Sequence, residues 1–286
     1  MVANDSRVVP ARLGARKPTG GAVDLLVLPG AEPTRAEALY RSSKPLRENQ
    51  VLTVCGRPVL RVLKAPARGR CLLETIGTTV VELLEQAGTV PLPPYIVRPA
   101  GAGPEDAARY QTIYARAAGS VAAPTAGLHF TSGVLERLRA RGIGFATVTL
   151  HVGPGTFQPI RSDPEEHQME AEWCEVSPEV AERIARTRSS GGRVVAVGTT
   201  TVRTLESAAD EAGRVRPFAG ATRLFIKPGY RFRAVDVLLT NFHLPRSTLL
   251  CLVLAFAGCR LTRAAYEAAI AERYRFYSYG DAMLVV

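Results

Sequence analysis

The sequence has few of the features that secreted and membrane proteins share. Its 286 residues include five cysteines, an odd number, and no two of them have C-x-x-C spacing. Neither a disulfide framework nor a zinc ribbon is therefore indicated, and a reducing compartment fits this cysteine content. The longest fully apolar run, residues 249–257, is far shorter than the roughly 20 residues that span a bilayer. Residues 1–5 show no apolar signal region, so we expect a cytoplasmic protein that is not bound to a membrane.

Several common catalytic motifs are also missing from the sequence. No G-x-G-x-x-G follows a predicted strand, which leaves a dinucleotide-binding fold unsupported. Neither a P-loop nor the G-x-S-x-G turn of serine hydrolases occurs, and the histidines lack the H-E-x-x-H spacing of many zinc enzymes. The sequence therefore gives only a weak indication of a metal site.

Positive charge exceeds negative charge along the chain. Lysine and arginine number 36 against 26 aspartates and glutamates, which gives a formal net charge of +10 and a pI near 9.7. Such an excess favours polyanionic partners such as nucleic acid. A solvated basic surface in an arginine-rich protein is the alternative, because the only lysines are Lys17, Lys44, Lys64 and Lys227. Charge alone leaves both interpretations open.

The first part of the chain predicts short β-strands. Apolar runs at residues 23–28, 51–54 and 59–63 are separated by glycine, proline and charged residues, a pattern typical of all-β units. One short helix is predicted at about residues 80–86, ending at Gly88. Residues 91–94, Pro-Leu-Pro-Pro, cannot be helical and must run extended. A domain boundary is predicted there.

The remainder predicts alternating helices and strands, which indicates an α/β domain with helices covering a sheet. Thr131 and Ser177 are predicted to cap two helices, and Pro178 follows the second cap. Further helices are predicted from about residue 202, over 247–257 and over 263–274. Strands are predicted at residues 145–150, 194–197, 224–226, 235–239 and 283–286.

Polar residues concentrate in four turns at the ends of predicted strands, over residues 122–130, 149–159, 197–203 and 240–248. Ligands of open α/β sheets bind at the carboxyl ends of strands, where such turns lie. Residues 153–155, Gly-Pro-Gly, allow close approach of the backbone to a ligand because glycine has no Cβ. Residues 198–201 precede a helix whose free N–H groups suit a carboxylate or phosphate, and Arg203 can assist. An ordinary capped helix start is the alternative.

The four histidines are distributed unevenly over these segments. His129, His151 and His243 each lie in one of the four turns, whereas His167 lies in an acidic stretch with Glu170 and Glu172. Three histidines in strand-end turns favour a shared function over packing. They can serve as general acids and bases, since histidine titrates near neutral pH. The alternative is a metal site that they form with a glutamate.

Aromatic and basic residues alternate near the end of the chain, at Tyr274, Arg275, Phe276, Tyr277 and Tyr279. Such a set can stack bases and hold phosphate. Packing in the core and at its rim is the alternative, and the spacing does not decide between the two.

Long ungapped strings, in a fixed order over nearly the whole chain, carry a family resemblance. They lie at residues 91–96, 110–114, 122–130, 149–159, 198–207, 240–249 and 274–283, and residues 4–12 add a segment in which Ser6 replaces the usual threonine. Together they resemble the S-adenosylmethionine:tRNA ribosyltransferase-isomerases of queuosine synthesis.

This resemblance implies a fold and a reaction. An α/β main domain, a mixed sheet with covering helices, is expected over residues 1–9 and 92–286, with a small all-β barrel domain inserted over 10–91. The ribosyl group of S-adenosylmethionine is expected to be transferred to 7-aminomethyl-7-deazaguanine at the wobble position of tRNA and isomerised. Epoxyqueuosine forms, and adenine and methionine leave. S-adenosylmethionine is then a co-substrate, no metal is implied, and we expect a monomer.

The reaction also suggests roles for the turn residues. A base is needed because the sulfonium acidifies the 5′ carbon, and an acid helps because adenine leaves more readily when protonated. The expected catalytic residues are His129 and His151, followed by His243, His167 and Glu172. The expected substrate-binding residues are Thr125, Gly153, Gly155, Thr156, Gly198, Thr199, Thr200, Arg203, Asn241, Tyr279 and Asp281. The expected nucleic-acid contacts are Arg12, Lys17 and Arg275.

Members of the family carry a further segment before the stretch that corresponds to residues 4–12, whereas this sequence starts at Met1. We expect such a truncation to leave a strand of the main sheet without its neighbour and to lower stability or activity. A non-catalytic RNA-binding protein is therefore the main alternative function. A histidine-carboxylate metalloenzyme is a third interpretation.

Overall fold

The computed structural model describes residues 1–28, 30, 32–65, 69–99, 101–157, 159–160 and 163–286. Residue 158 of the second polar turn lies outside this description. The chain divides into two compact units, one formed by Met1–Arg7 and Tyr110–Val286 and the other by Val8–Arg109. The sequence predicted the smaller domain over residues 10–91, and the smaller unit extends beyond this range by residues 8–9 and 92–109. Two short strands open the chain, β1 (Val2–Asn4) and β2 (Ser6–Val8).

The smaller unit is a closed antiparallel barrel with the strand order β3-β4-β5-β8-β7-β6. Buried and exposed side chains alternate along its strands, and the buried ones, such as Leu13, Leu25 and Leu73, fill the interior. Thr79 begins the first helix with a capping box, in which its side chain accepts from the amide of Glu82. The elements are β3 (Arg12–Arg16), β4 (Ala22–Leu28), β5 (Arg35–Ser42), β6 (Val51–Val54), β7 (Arg57–Lys64), β8 (Arg70–Thr75), α1 (Val80–Ala87) and α2 (Pro104–Arg109).

The larger unit is an α/β fold built on a seven-stranded mixed sheet with the order β13-β11-β10-β1-β12-β14-β15. Its strands and turns are β9 (Ala117–Ser120), a 3₁₀ turn (Thr125–His129), β10 (Ala146–Leu150), a second 3₁₀ turn (Pro154–Phe157), β11 (Glu172–Val176), β12 (Val195–Val197), β13 (Phe218–Thr222), β14 (Val237–Asn241) and β15 (Ala282–Val285). Its helices are α3 (Ser132–Ala140), α4 (Pro178–Ser189), α5 (Thr199–Ser207), α6 (Thr248–Ala257) and α7 (Cys259–Ala271). Strands β2 and β9 form a separate two-stranded sheet.

Four neighbouring strands of the main sheet, β10, β1, β12 and β14, run parallel. β1 has a partner strand on each side. The apolar core includes Val148, Leu205, Leu238 and Leu252, all of them buried. Because parallel strands end at the same edge, the loops that follow them gather there. We call it the carboxyl edge, formed by the ends of β10, β1, β12 and β14.

The predicted caps form as expected: Thr131 and Ser177 accept from the amides of Val134 and Val180 at the starts of α3 and α4. The predicted strand at residues 224–226 is wrong, because the strand lies earlier, at Phe218–Thr222. Leu224 instead turns inward in a loop, where its carbonyl accepts from the Arg203 Nε. The helix predicted from residue 202 begins earlier, at Thr199.

No single helix among the described residues is long and apolar enough to cross a membrane. Helices α6 and α7 satisfy length and composition only as a pair, and the pair is bent by 114°.

Candidate active site

Asn4 lies at the centre of the carboxyl edge, where β1 ends. Its side chain is buried; the Nδ2 amide donates to the carbonyl of Leu150 (2.9 Å) and to the hydroxyl of Thr200 (3.2 Å). Its Oδ1 accepts from the amides of Leu150 and Ser6, each at 3.0 Å. One amide side chain therefore ties the ends of β1 and β10 to the first turn of α5. These hydrogen bonds fix the relative positions of the two strand ends and the helix start at this edge.

His151 follows β10 at this edge and is held between two neighbours. Its imidazole stacks on the indole of Trp173, with ring centroids 5.5 Å apart and planes inclined by 20°. Gly119 approaches it from β9: a Cβ built at Gly119 would lie 2.9 Å from the Cε1 and Nε2 atoms of the ring. The Nδ1 atom is buried and has no hydrogen-bond partner among the described residues. The ring is thus fixed in orientation while one nitrogen stays unengaged.

Asp5 is the charged group that acts on His151. Its carboxylate is completely buried; Oδ1 accepts from the Thr149 hydroxyl (2.7 Å) and Oδ2 from the Arg116 Nε (2.6 Å). Burial lowers the pKa of His151 below its usual value, and the charge of Asp5 acts against that shift. The imidazole is therefore neutral at pH 7, and a fixed carboxylate stabilises its protonated form.

A second histidine at the same edge has a similar arrangement of charges. Nε2 of His129 accepts from the Asn241 side-chain amide (3.2 Å), which also donates to the carbonyl of Tyr277 (3.1 Å). Burial lowers the pKa of His129; Asp281 acts against the shift and Arg275 adds to it. Hydrogen bonds from Arg275 hold the pKa of Asp281 below its usual value. Each histidine thus lies near an aspartate that is bound by an arginine.

The two histidines lie at the ends of different strands of one edge. His151 follows β10, whereas His129 contacts Asn241 at the end of β14. Adjacent strands lie about 4.8 Å apart, so the ends of β10 and β14, three strands apart, are separated by about 14 Å. Asn4 and the start of α5 lie between them.

His243 differs from the other two, because it lies in the interior. It is 9% exposed, its Nε2 is 2.7 Å from the Thr240 hydroxyl, and its backbone amide donates to the Tyr266 hydroxyl (2.9 Å). Desolvation lowers the pKa of His243 to about 4. A ring so enclosed and hydrogen-bonded fits a structural role, and its expected part in proton transfer stays a prediction.

Glu172 is bound by groups other than the expected His167. Its carboxylate forms a buried ion pair with Arg203 and also accepts from the amide of Gly153 (2.8 Å) and the hydroxyl of Thr156 (3.3 Å). The ring of His167 instead lies edge-on to Phe225, with centroids 5.3 Å apart. The carboxylate is thus held by three donors and not by His167, and a catalytic role of His167 and Glu172 stays a prediction.

The glycine and threonine turns lie at the edge, but their contacts are largely internal. Gly155 packs against the Glu170 side chain: a Cβ there would lie 3.3 Å from the Glu170 Oε2. Gly198 has a φ of +88° and begins α5, and no side chain caps that helix. Thr199 and Thr200 are buried there, and Thr125 begins the 3₁₀ turn that ends at His129. The uncapped helix start keeps the features of an anion site.

Comparison with known proteins identifies the family to which this arrangement belongs. A family model described as "Queuosine biosynthesis protein" matches residues 1–285. The S-adenosylmethionine:tRNA ribosyltransferase-isomerase of Anaeromyxobacter sp. (strain K) is 56% identical over 292 residues, which cover 100% of this chain and 84% of the relative. The enzyme of the same name from Pelobacter propionicus is 52% identical over 290 residues, with the same coverage. The chain belongs to the queuosine biosynthesis protein family.

A solved structure of a relative agrees with this assignment. The crystal structure of S-adenosylmethionine tRNA ribosyltransferase from Thermotoga maritima is 35% identical to this chain, with a TM-score of 0.50. The match covers 100% of this chain and 81% of that chain.

The basic residues expected to contact nucleic acid are engaged in contacts within the chain. Arg12 forms two hydrogen bonds of 2.9 Å with Asp24. Lys17 is 7% exposed and its ammonium donates to the carbonyl of Lys44, and its expected phosphate contact stays a prediction. Arg275 is exposed and pairs with Asp281 at 2.9 Å.

Tyr279 is 36% exposed and lies edge-on to Tyr110, with centroids 6.0 Å apart. Within the described part of the chain, no three or more His, Cys, Asp or Glu side chains are grouped so that they could hold a metal ion.

Five residues that shape the surroundings of His151 were not predicted from the sequence: Asn4, Asp5, Arg116, Gly119 and Trp173. Asn4 and Asp5 directly follow the short apolar start of the chain, and this change from apolar to polar residues is the sequence pattern that could have indicated a strand end there. The others come from segments far apart along the chain, and no local pattern connects them.

Proposed function

We propose that this chain transfers and isomerises the ribosyl group of S-adenosylmethionine onto 7-aminomethyl-7-deazaguanine at the wobble position of tRNA. The products are epoxyqueuosine in tRNA, adenine and methionine. One observation carries the proposal: the family match covers residues 1–285, and full-length identity to relatives named for this activity reaches 56%. S-adenosylmethionine is a co-substrate, and the chemistry uses no metal.

His151 is the proposed general base at the 5′ carbon of the co-substrate. Its neutral ring, with a lowered pKa, is ready to take a proton at pH 7, and the buried Asp5 stabilises the imidazolium that forms. Nε2 of His129 already accepts from Asn241, whereas His151 keeps its Nε2 for the substrate, since its Nδ1 is buried. This difference is why we assign the proton abstraction to His151.

His129 is the proposed second proton-transferring group. Asp281 raises its pKa against the effect of burial, so its protonated form is also stabilised by a nearby carboxylate. The separation of about 14 Å between the ends of β10 and β14 suits two substrates side by side better than one nucleoside. His129 then meets the tRNA base, or the adenine that leaves.

The remaining expected residues have supporting roles in this proposal. The start of α5, at Gly198, Thr199 and Thr200, offers backbone N–H groups to the methionine carboxylate. Arg203 and Glu172 hold the turn at Gly153 and Thr156 in place, rather than binding substrate themselves. Thr125, Gly155, Asn241, Tyr279 and Asp281 remain proposed substrate neighbours at the same edge.

The net charge of +10 fits a tRNA partner. With Lys17 buried, the proposed phosphate contacts are Arg12 and Arg275 after their ion pairs open. A cytoplasmic monomer is the proposed working form.

Adenine release tests the function. The protein is incubated with S-adenosylmethionine labelled in the adenine ring and tRNA carrying 7-aminomethyl-7-deazaguanine, and free adenine is measured. We expect release that requires this tRNA and persists after dialysis against a chelator. Tight tRNA binding without adenine release would favour the non-catalytic RNA-binding alternative. Activity lost on chelation and restored by one metal ion would favour the metalloenzyme.

A further inference from the structure

Trp173 is the only tryptophan of the chain, and it is 41% exposed at the carboxyl edge. Along β11 the side chains of Glu172, Cys174 and Val176 are buried, whereas Trp173 and Glu175 are exposed. The alternation places the indole on the solvent-facing side of the sheet. A large apolar ring in such a position has surface available to a ligand.

The side chains on either side of Trp173 make its two faces unequal. On the β10 side, the amide of His151 donates to the carbonyl of Trp173 (2.9 Å), and the imidazole lies against the indole. On the β13 side, the partner of Trp173 is Ala221, which is exposed and carries only a methyl group. One face of the indole is therefore covered by a ring, and the other looks over a small residue.

The dimensions of the sheet fit a second ring on that open face. Neighbouring strands lie about 4.8 Å apart, and flat rings in van der Waals contact lie about 3.5 Å apart. A ring stacked on the outer face of Trp173 would thus lie above Ala221, whose side chain is only a methyl group. Next to it along β13, Gly220 and Ala219 are also small.

We propose that Trp173 is the stacking platform for the purine-type ring of a substrate. The inference rests on the proposed function, which supplies two such rings: the adenine of S-adenosylmethionine and the 7-deazaguanine of the tRNA. Aromatic stacking accepts either, because both have a π face. A ring held on the outer face of Trp173 lies across the indole from His151 and does not cover the imidazole, so the attached ribose is proposed to reach His151 past the edge of the indole.

Because Trp173 is the sole tryptophan, its fluorescence reports this position alone. The wild-type protein is titrated with S-adenosylmethionine and, separately, with an anticodon stem-loop that carries 7-aminomethyl-7-deazaguanine. Methionine and ribose 5-phosphate, which lack the ring, are the controls, and binding of each labelled ligand is measured by equilibrium dialysis. Saturable quenching by S-adenosylmethionine assigns the platform to adenine. Quenching by the stem-loop alone assigns it to the deazaguanine.

Variants test whether the stack contributes to binding. Trp173→Ala is expected to raise the Kd of the stacked substrate at least about fivefold, and Trp173→Phe to recover most of the loss. Ile143→Ala is the matched control, since Ile143 is 39% exposed but precedes β10 at the opposite edge of the sheet. Its Kd values are expected to equal those of the wild type.

Saturable binding of both ligands with unchanged Trp173 fluorescence, or a Trp173→Ala variant with wild-type Kd values for both, would overturn the inference. These results are separable from failure of the proposed function. Adenine release by the wild-type protein tests the function by itself. If the protein releases adenine but shows neither Trp173 quenching nor a raised Kd in Trp173→Ala, only the role of Trp173 as a stacking platform is contradicted. If a purine ring quenches Trp173 but the protein releases no adenine, the stacking role of Trp173 is supported and the proposed function is contradicted.

Discussion

Glu172 and Arg203 form an ion pair inside the α/β unit, with side chains only 4% and 6% exposed. Glu172 begins β11 and Arg203 lies in α5, so the pair joins the sheet to a helix of the carboxyl edge. The same carboxylate accepts from Gly153 and Thr156, and Nε of Arg203 donates to the carbonyl of Leu224. One pair of charges therefore holds two loops of the candidate site, the turn at Gly153 and Thr156 and the loop at Leu224.

Removing one member of this pair is expected to destabilise the protein strongly. Glu172→Ala leaves the Arg203 guanidinium buried without its counter-charge, which costs about 3–5 kcal/mol. The double variant Glu172→Leu, Arg203→Met is expected to lose less than Glu172→Ala, because no charge stays buried. Urea denaturation measures both free energies of unfolding.

The control is the pair of Lys227 and Glu165, in which the Glu165 side chain is 76% exposed. Glu165→Ala is expected to change the free energy of unfolding by no more than about 1 kcal/mol, as exposed pairs do. Equal losses for Glu172→Ala and Glu165→Ala would contradict the structural role of the buried pair.

His151 and His243 are expected to respond differently to replacement. His151→Ala removes the proposed base and is expected to lower single-turnover adenine release about 10²- to 10⁴-fold with the fold intact. His243→Ala leaves the buried Thr240 hydroxyl without its partner, so it is expected to lower the melting temperature more than His151→Ala does. Quenched-flow kinetics and thermal denaturation separate the two. A His151→Ala variant with near-normal turnover would remove His151 from the mechanism.

Acid is expected to destabilise the fold through His243. Its pKa is about 4 in the folded state and about 6.5 in the unfolded chain, so between these values the unfolded state binds the extra proton. Stability is therefore fully present above pH 6.5 and falls as the pH drops towards 4, by up to about 1.4 kcal/mol per pH unit.

His243→Gln cannot take up that proton, so its stability is expected to depend less steeply on pH over the same range. The lowered pKa values of His129 and His151 contribute with the same sign in both proteins, and the comparison cancels them. Denaturation curves at pH 4.5, 5.5, 6.5 and 7.5 provide the test. Parallel profiles for the two proteins would show that His243 does not carry the effect.

Asp5→Asn is expected to shift the pH dependence of catalysis. The carboxylate raises the pKa of His151 against the effect of burial, so its loss lowers that pKa further. The acid limb of the kcat/KM profile should move to lower pH, and the plateau should fall because the imidazolium loses its counter-charge. Thr149→Val, which removes only one donor to Asp5, is the milder comparison. A limb that stays in place in Asp5→Asn would show that His151 is not the titrating base.

The sequence predicted the parts of the fold that local patterns encode. The caps at Thr131 and Ser177 and the periodic apolar runs locate α3, α4 and β10 to within a residue or two. The strand at 224–226 was placed wrongly because a short apolar run looks the same whether it pairs in a sheet or turns into the core as a loop.

The candidate site was predicted less completely, for a related reason. Three of its histidines stand out in sequence because they follow strands, but sequence position does not show whether a ring faces the edge or, like His243, the interior. The contacts of His151 come from Asp5, Gly119 and Trp173, which lie 146, 32 and 22 residues away along the chain. Only the strand order brings them together.

Gly119 provides the sharpest test of how His151 is positioned. Its φ is +144°, a conformation that side chains rarely adopt, and a Cβ there would lie 2.9 Å from the Nε2 and Cε1 of His151. Gly119→Ala is therefore expected to displace the imidazole and to lower adenine release at least about tenfold. It also lowers stability by about 1–3 kcal/mol, because the backbone conformation is strained. Activity is accordingly measured well below the melting temperature of the variant.

Gly133→Ala is the matched control, because Gly133 lies in α3 and a Cβ there meets no atom within 4 Å. Alanine favours a helix over glycine by up to about 1 kcal/mol, so this variant is expected to keep full activity with equal or higher stability. The fluorescence of Trp173, which depends on the stacked imidazole, should change in Gly119→Ala and not in Gly133→Ala. A Gly119→Ala protein with wild-type adenine release and unchanged fluorescence would mean that His151 does not depend on the absence of a side chain at position 119.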